Sequence, residues 1–159
     1  MISNFVIKPH VGLEGLILGT DRATVIEILG EPYERSVRTF ERDKSSDELW
    51  EYLQIGLNLT FSSVDNWLLG AITVESAEAE LEGLRLVGLS EEEFLTTSQR
   101  TGVDLELEDD FTELGSKDYV CDRLGLSFWI SDGEVSSITI FPKYDKTGNI
   151  PLWPVGHGN

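Results

Sequence analysis

A chain of 159 residues with 29 acidic against 12 basic side chains carries a net charge of −17. Such a field disfavours nucleic acid and anionic membrane, both polyanions, and suits a basic protein partner. The single cysteine, Cys121, excludes an intrachain disulfide and agrees with a reducing compartment.

The N-terminal segment, Met1-Ile2-Ser3-Asn4-Phe5-Val6-Ile7-Lys8-Pro9-His10, has no basic start followed by a long apolar run, so it does not read as a secretory signal. No segment approaches the roughly 20 apolar residues of a membrane span. The expectation is a complete, cytoplasmic chain. Phe5-Val6-Ile7, ended by Pro9, predicts an edge strand or packed arm. Residues 21–29 predict a helix: Thr20 and Asp21 offer capping oxygens, and Val25, Ile26, Ile28 and Leu29 form one apolar stripe. Gly30 is expected to close it in the left-handed conformation, and Pro32 blocks continuation.

Residues 36–40 predict a strand, and the charged run 41–48 a hairpin loop. Three more strands are predicted at 49–53, 57–62 and 69–74. Leu57, Leu59 and Phe61 alternate with Asn58, Thr60 and Ser62, the pattern of a half-buried strand, and Asp65-Asn66 supplies the turn into the last. The acidic segment 75–82 is the natural boundary.

Beyond it the pattern returns. Leu81-Glu82-Gly83-Leu84 echoes Leu13-Glu14-Gly15-Leu16, and Ser90 with Glu93 makes a capping box. Phe94 and Leu95 stand in the places of Val25 and Ile26, Gly102 in that of Gly30, and Gly125-Leu126-Ser127-Phe128 in that of Gly56-Leu57-Asn58-Leu59. Val103, Leu105 and Leu107 alternate with Asp104, Glu106 and Glu108, predicting a strand with a solvated acidic face, and Asp109-Asp110 and Gly115-Ser116 are expected to frame a loop. Asp132-Gly133 is the strongest hairpin signal, falling where Asp65-Asn66 falls. The implied architecture is α+β: a tandem repeat of a short helix plus antiparallel strands, forming a curved antiparallel sheet with helices on one face. Residues 1–77 make the first unit with its arm, 78–145 the second and 146–159 a tail held by Trp153, together one domain.

The phrase Gly19-Thr20-Asp21-Arg22-Ala23-Thr24-Val25-Ile26-Glu27-Ile28-Leu29-Gly30-Glu31-Pro32 is similar to the G-x-(S/T)-x-x-(E/D)-V-x-x-x-L-G-x-P phrase of the β-lactamase inhibitor protein superfamily, which also occurs in small lipoproteins of the outer-membrane assembly machinery. The resemblance covers residues 13–144 in topology and 19–32 in motif. The second unit departs from it at Thr101-Gly102, with no following proline, and the two disulfides of the inhibitors have no counterpart here. The resemblance implies a tandem fold that acts by binding.

Reaction chemistry has little to stand on. His10 and His157 lie near the two ends without a second ligand at metal spacing, and the Gly12 to Gly19 region lacks the ending of a phosphate loop. Cys121 has only Arg123 near it in sequence, so a buried structural thiol is expected. No cofactor and no metal are expected. Alternation turns Trp129 away from the core, and Phe141 likewise. Those two aromatics, rimmed by Asp104, Glu106, Glu108, Asp109 and Asp110, are the candidate partner-binding residues; the tail with Trp153 is the other candidate to cover them. Trp50 and Tyr52 are expected to face inward, since they align with Tyr119 and Cys121. The function expected is that of a non-enzymatic inhibitor, most concretely an immunity protein occluding a basic nuclease toxin. The alternative is a binding or scaffold module of the assembly-lipoprotein type. An enzyme using a carboxylate pair is a third reading, with nothing selecting one pair among 29 acids.

Overall fold

The computed structural model describes residues 5–154. Three two-residue strands, β1 (Ile7–Lys8), β2 (Gly12–Leu13) and β3 (Leu16–Ile17), form a small antiparallel sheet. Helix α1 (Arg22–Leu29) follows, then β4 (Glu34–Phe40), β5 (Ser45–Tyr52), β6 (Leu57–Ser62) and β7 (Leu69–Val74). Helix α2 (Glu91–Thr101) precedes β8 (Glu106–Phe111), β9 (Ser116–Cys121), β10 (Leu126–Ser131) and β11 (Glu134–Ile140); β12 (Lys143–Tyr144) and β13 (Pro151–Leu152) pair in the tail.

β4 to β11 make one antiparallel sheet in the order β4-β5-β6-β7-β11-β10-β9-β8. Each half is a meander, and the two last-formed strands meet at the centre. There Ile138 pairs Val74, Thr139 pairs Thr73 and Ile140 pairs Ile72. The Thr73 and Thr139 hydroxyls lie 2.8 Å apart across this seam, which joins residues 66 apart in sequence.

One sheet face carries the core. Leu57, Leu59 and Phe61 are buried there with Trp50, Tyr52, Ile72 and Val74, and so are Cys121, Leu126, Phe128, Ile130, Ile138 and Ile140 from the other half. Val25, Phe94, Ile7, Leu13, Leu16 and Leu18 close the same cluster from α1, α2 and the small sheet. Alternation dictates this: successive residues of each strand point to opposite faces, so the inward apolar positions recur at every second residue. The N-terminal segment ties to the second half at two places, with Ile7 N donating to Glu80 O and His10 Nε2 to Arg123 O, both at 2.8 Å.

Both helices begin as expected. Asp21 accepts from Thr24 N at 2.7 Å, while Thr20 serves another end, donating its hydroxyl to Ile17 O. Ser90 and Glu93 form the reciprocal capping box. Gly102 takes the left-handed conformation (φ 80°, ψ 21°); Gly30 has a positive φ of 83° but an extended ψ of −171°, so it turns the chain towards β4 without a left-handed cap. Within the predicted stripe of α1 only Val25 is fully buried.

Several boundaries move, including β4, which starts at Glu34 rather than Ser36, and β5, which ends at Tyr52 rather than Leu53. The loop at 41–48 shrinks to 41–44, because Ser45, Ser46, Asp47 and Glu48 pair with Phe40, Thr39, Arg38 and Val37. Charges are tolerated there because β4 is an edge strand, exposed along its whole length. β8 starts at Glu106 rather than Val103, and Val103 and Leu105 pack on the core before it begins. Asp109 and Asp110 belong to β8, not to a loop; the turn is the 3-10 segment Thr112–Leu114. The Asp132-Gly133 hairpin forms, with φ of 51° and 81°, the pair of positive values that a tight primed turn requires.

Candidate functional site

The second sheet face is the one that the helices leave uncovered. Its composition follows from register. A single row crosses all eight strands: Glu106, Val120, Ser127, Thr139, Thr73, Asn58, Glu51 and Glu34. A second row covers the later half: Asp109, Asp118, Trp129 and Ser137. Trp129 lies between buried Phe128 and Ile130 and is half-buried on the opposite face, as alternation predicts.

Electrostatics concentrate in that row. Lys117 is the single Lys or Arg in β8 to β11. It faces inward, where its ammonium lies 2.8 Å from Glu91 at the start of α2. The outer side of these strands therefore presents Glu106, Asp109 and Asp118 without a cation of its own strands. Asp118 is pushed above the ordinary carboxylate range, first by burial; the donated Ser127 hydroxyl draws it back, and the charge of Asp109 pushes it further up. In the first half the corresponding face holds Glu34, Glu51 and Asp47, with Arg38 lying 3.5 Å from Asp47.

The expected binding residues do not all gather. Trp129 and Asp109 share one row. Glu106 sits in the neighbouring row of the same face. Glu108 falls in the irregularity between Leu107 and Asp109, where β8 carries one residue more than β9. That extra residue puts Asp110 opposite Lys117, on the helix side of the sheet, so Asp109 and Asp110 look to opposite faces. Asp104 precedes β8 and pairs with Arg123 at 3.2 Å. Phe141 lies just past β11, half-buried, its N–H donating to Gly125 O; it is not beside Trp129, whose neighbour on β11 is Ser137. Trp153 packs on the core side, where a Cβ on Gly19 would come 3.1 Å from it, and so does not cover Trp129. His157 lies outside the described residues.

Asp118, Glu51 and Thr73 escaped the sequence reading. The signal existed for Asp118: in Ser116-Lys117-Asp118-Tyr119-Val120-Cys121, inward Tyr119 and Cys121 require Asp118 and Val120 to point out.

Elsewhere, Tyr52 and Tyr119 are both pushed up to about 12, first by burial. Tyr52 donates to Gly30 O at 2.8 Å, and Tyr119 donates to Glu91. Cys121 is buried, and Arg123 turns to Gly102 O and Asp104. A cleft of about 240 Å³ lies at the C-terminal end of α1, lined by Leu29, Glu31, Tyr33, Tyr52, Leu53, Gln54 and Ile55. Among the described residues no group of three His, Cys, Asp or Glu side chains is placed to hold a metal ion, and no helix is long and apolar enough to cross a membrane.

The sequence matches no protein-family model and no curated protein. The chain is similar to the 1.5 Å crystal structure of an extracellular protein containing an SCP domain from Bacillus anthracis str. Ames, at 12% identity and a TM-score of 0.46, covering 82% of this chain. It spans 45% of that chain, less than half of its length. A likeness this remote carries no argument about function.

Proposed function

We propose that this chain is a non-enzymatic inhibitor that binds a basic protein on the uncovered face of its sheet, in the manner of an immunity protein that occludes a toxin's cationic active site. The observation that carries this reading is the row Asp109, Asp118, Trp129: two carboxylates in register with a half-buried indole, on a face where β8 to β11 offer no cation. Asp118 is held partly out of water without an ion partner among the described residues, and its raised pKa marks that cost. An incoming guanidinium or ammonium relieves it and lies within reach of the indole. The charge of −17 steers a basic partner towards contact at long range.

We also propose that the two halves are copies of one ancestral unit, as the inhibitor-like motif implies. Several pairings support this. Leu13 pairs Leu16 across one tight turn, and Leu81 bridges Leu84 across another. Each helix is followed by four antiparallel strands, and the seam joins Thr73 to Thr139. On this reading the binding platform is a doubled sheet, and its two ends have diverged in charge. The cytoplasm is the compartment that a free thiol and an intracellular toxin would share.

The test is capture of a basic protein from the host lysate by the immobilised chain, repeated with Asp109→Lys/Asp118→Lys. Retention by the wild type and loss by the double variant support the proposal. Equal retention by both chains places the contact elsewhere and refutes it.

A further inference from the structure

The sheet ends in two open edges, β4 and β8, whose outward backbone groups have no strand beside them among the described residues. All neighbouring strands are antiparallel, so with eight strands β4 and β8 run in opposite directions. A second copy laid edge to edge, helices on the same side, therefore brings its β4 antiparallel to β8. Both edges are exposed, and their charges differ in sign. β4 carries Arg35 and Arg38 against the single acid Glu34, and in the turn after it Arg42 and Lys44 are balanced by Glu41 and Asp43. β8 carries Glu106, Glu108, Asp109 and Asp110 and no base.

One register satisfies both faces of such a joint. With Arg38 opposite Glu106, both on the uncovered face, Val37 comes opposite Leu107 on the helix side. Beyond the extra residue Glu108, Ser36 meets Asp109 and Arg35 meets Asp110, each pair again on a common face. Val37 and Leu107 are exposed apolar side chains, 64% and 47% accessible, and this register buries them against each other. Arg38 holds a 3.5 Å contact to Asp47 and lies 5.2 Å over the exposed Phe40 ring, and Arg35 is paired with Glu31; these are surface contacts, so redirecting the guanidinium groups costs little.

We propose that copies of this chain associate head to tail through β4 and β8, continuing the sheet from one molecule into the next. The joint is heterologous: each copy uses one edge of each kind, so assembly propagates or closes into a ring and does not stop at a pair. The contact is a single strand pair in a strongly acidic molecule, which places the dissociation constant on the order of 0.1–1 mM.

Sedimentation velocity over rising protein concentration, at physiological ionic strength, tests this with two variants. Val37→Glu/Arg38→Glu reverses one edge and Glu106→Arg/Leu107→Arg the other; all four positions are exposed. The wild type should grow in mean mass with concentration. Each variant alone should associate at least about tenfold more weakly. A mixture of the two should recover association, because every swapped joint again sets acid against base; recovery also shows that both variants are folded. A wild type that stays monomeric above 1 mM overturns the proposal. So do variants that associate like the wild type, or a mixture that does not recover.

Discussion

The two halves share a backbone plan and both pin the start of the helix to the second strand, but with the charges exchanged: Arg22 reaches Glu48 in the first, and Glu91 takes Lys117 in the second. In the first, β5 holds both ends of α1: Glu48 accepts from Arg22 at 3.1 Å and Tyr52 donates to Gly30 O, while Arg35 lies 4.5 Å over the Trp50 ring and reaches Glu31. In the second, β9 holds the N-terminal end of α2, where Lys117 and Tyr119 both donate to Glu91. The helix residue in the core differs too. Val25 fills its place alone, whereas Phe94 sits 4.9 Å from Phe128 and 5.9 Å from Tyr119 between ring centres. Equivalent strands thus tolerate different polar fastenings so long as their inward apolar positions are kept. The second half spends its only inward cation on Glu91, which leaves its outer face purely acidic.

Substitutions at matched positions sharpen that contrast. The largest effect belongs to the core. Phe94→Ala should destabilise by about 3–5 kcal/mol, well above Val25→Ala, measured by urea unfolding; equal losses would mean that the aromatic cluster adds nothing beyond its volume. Next is Glu91→Gln, expected to cost about 1–2 kcal/mol at neutral pH. Hydrogen bonds from Lys117 first, and Tyr119 second, hold the Glu91 carboxyl below its ordinary range. Its contribution is therefore complete above the unfolded-state value and is lost as pH falls through the lower, folded value. The gap between wild type and variant should close in acid, and a gap unchanged by pH would contradict the pairing.

The helix caps come third. Asp21→Ala and Ser90→Ala should each cost about 1 kcal/mol in thermal or urea unfolding. Only the first should show acid dependence of the cap itself, since hydrogen bonding from Thr24 N lowers the Asp21 pKa. Asp21→Ser should keep the cap and remove that dependence. The smallest effect is expected for Tyr52→Phe, at about 1 kcal/mol or less, because Gly30 O loses one donor at a partly wet site.

Much of this plan was legible because it rests on local rules. The cap at Ser90, the Asp132-Gly133 turn and the alternation in β6 and β10 each fix their element without help from the rest of the chain. Inward Trp50 and Tyr52 could be placed because the later half supplied their alignment. The acidic run of β8 misled for a definite reason: alternation assumes one residue per position, and the extra Glu108 shifts everything after it to the other face. Phe141 misled because β11 ends at Ile140, before alternation would have turned it outward. The site row was half visible. Trp129 followed from period two, but its neighbour Asp118 comes from another strand, and only register brings them together.

The central claim is that the molecule acts through the uncovered face of its sheet. Capture from the host lysate by the wild type, by Asp109→Lys/Asp118→Lys/Trp129→Ala and by a control on the helix side, Leu95→Lys, tests it most directly. The account predicts a basic protein held by the wild type and the control and lost from the triple variant. A partner lost from the control but kept by the triple variant would contradict it.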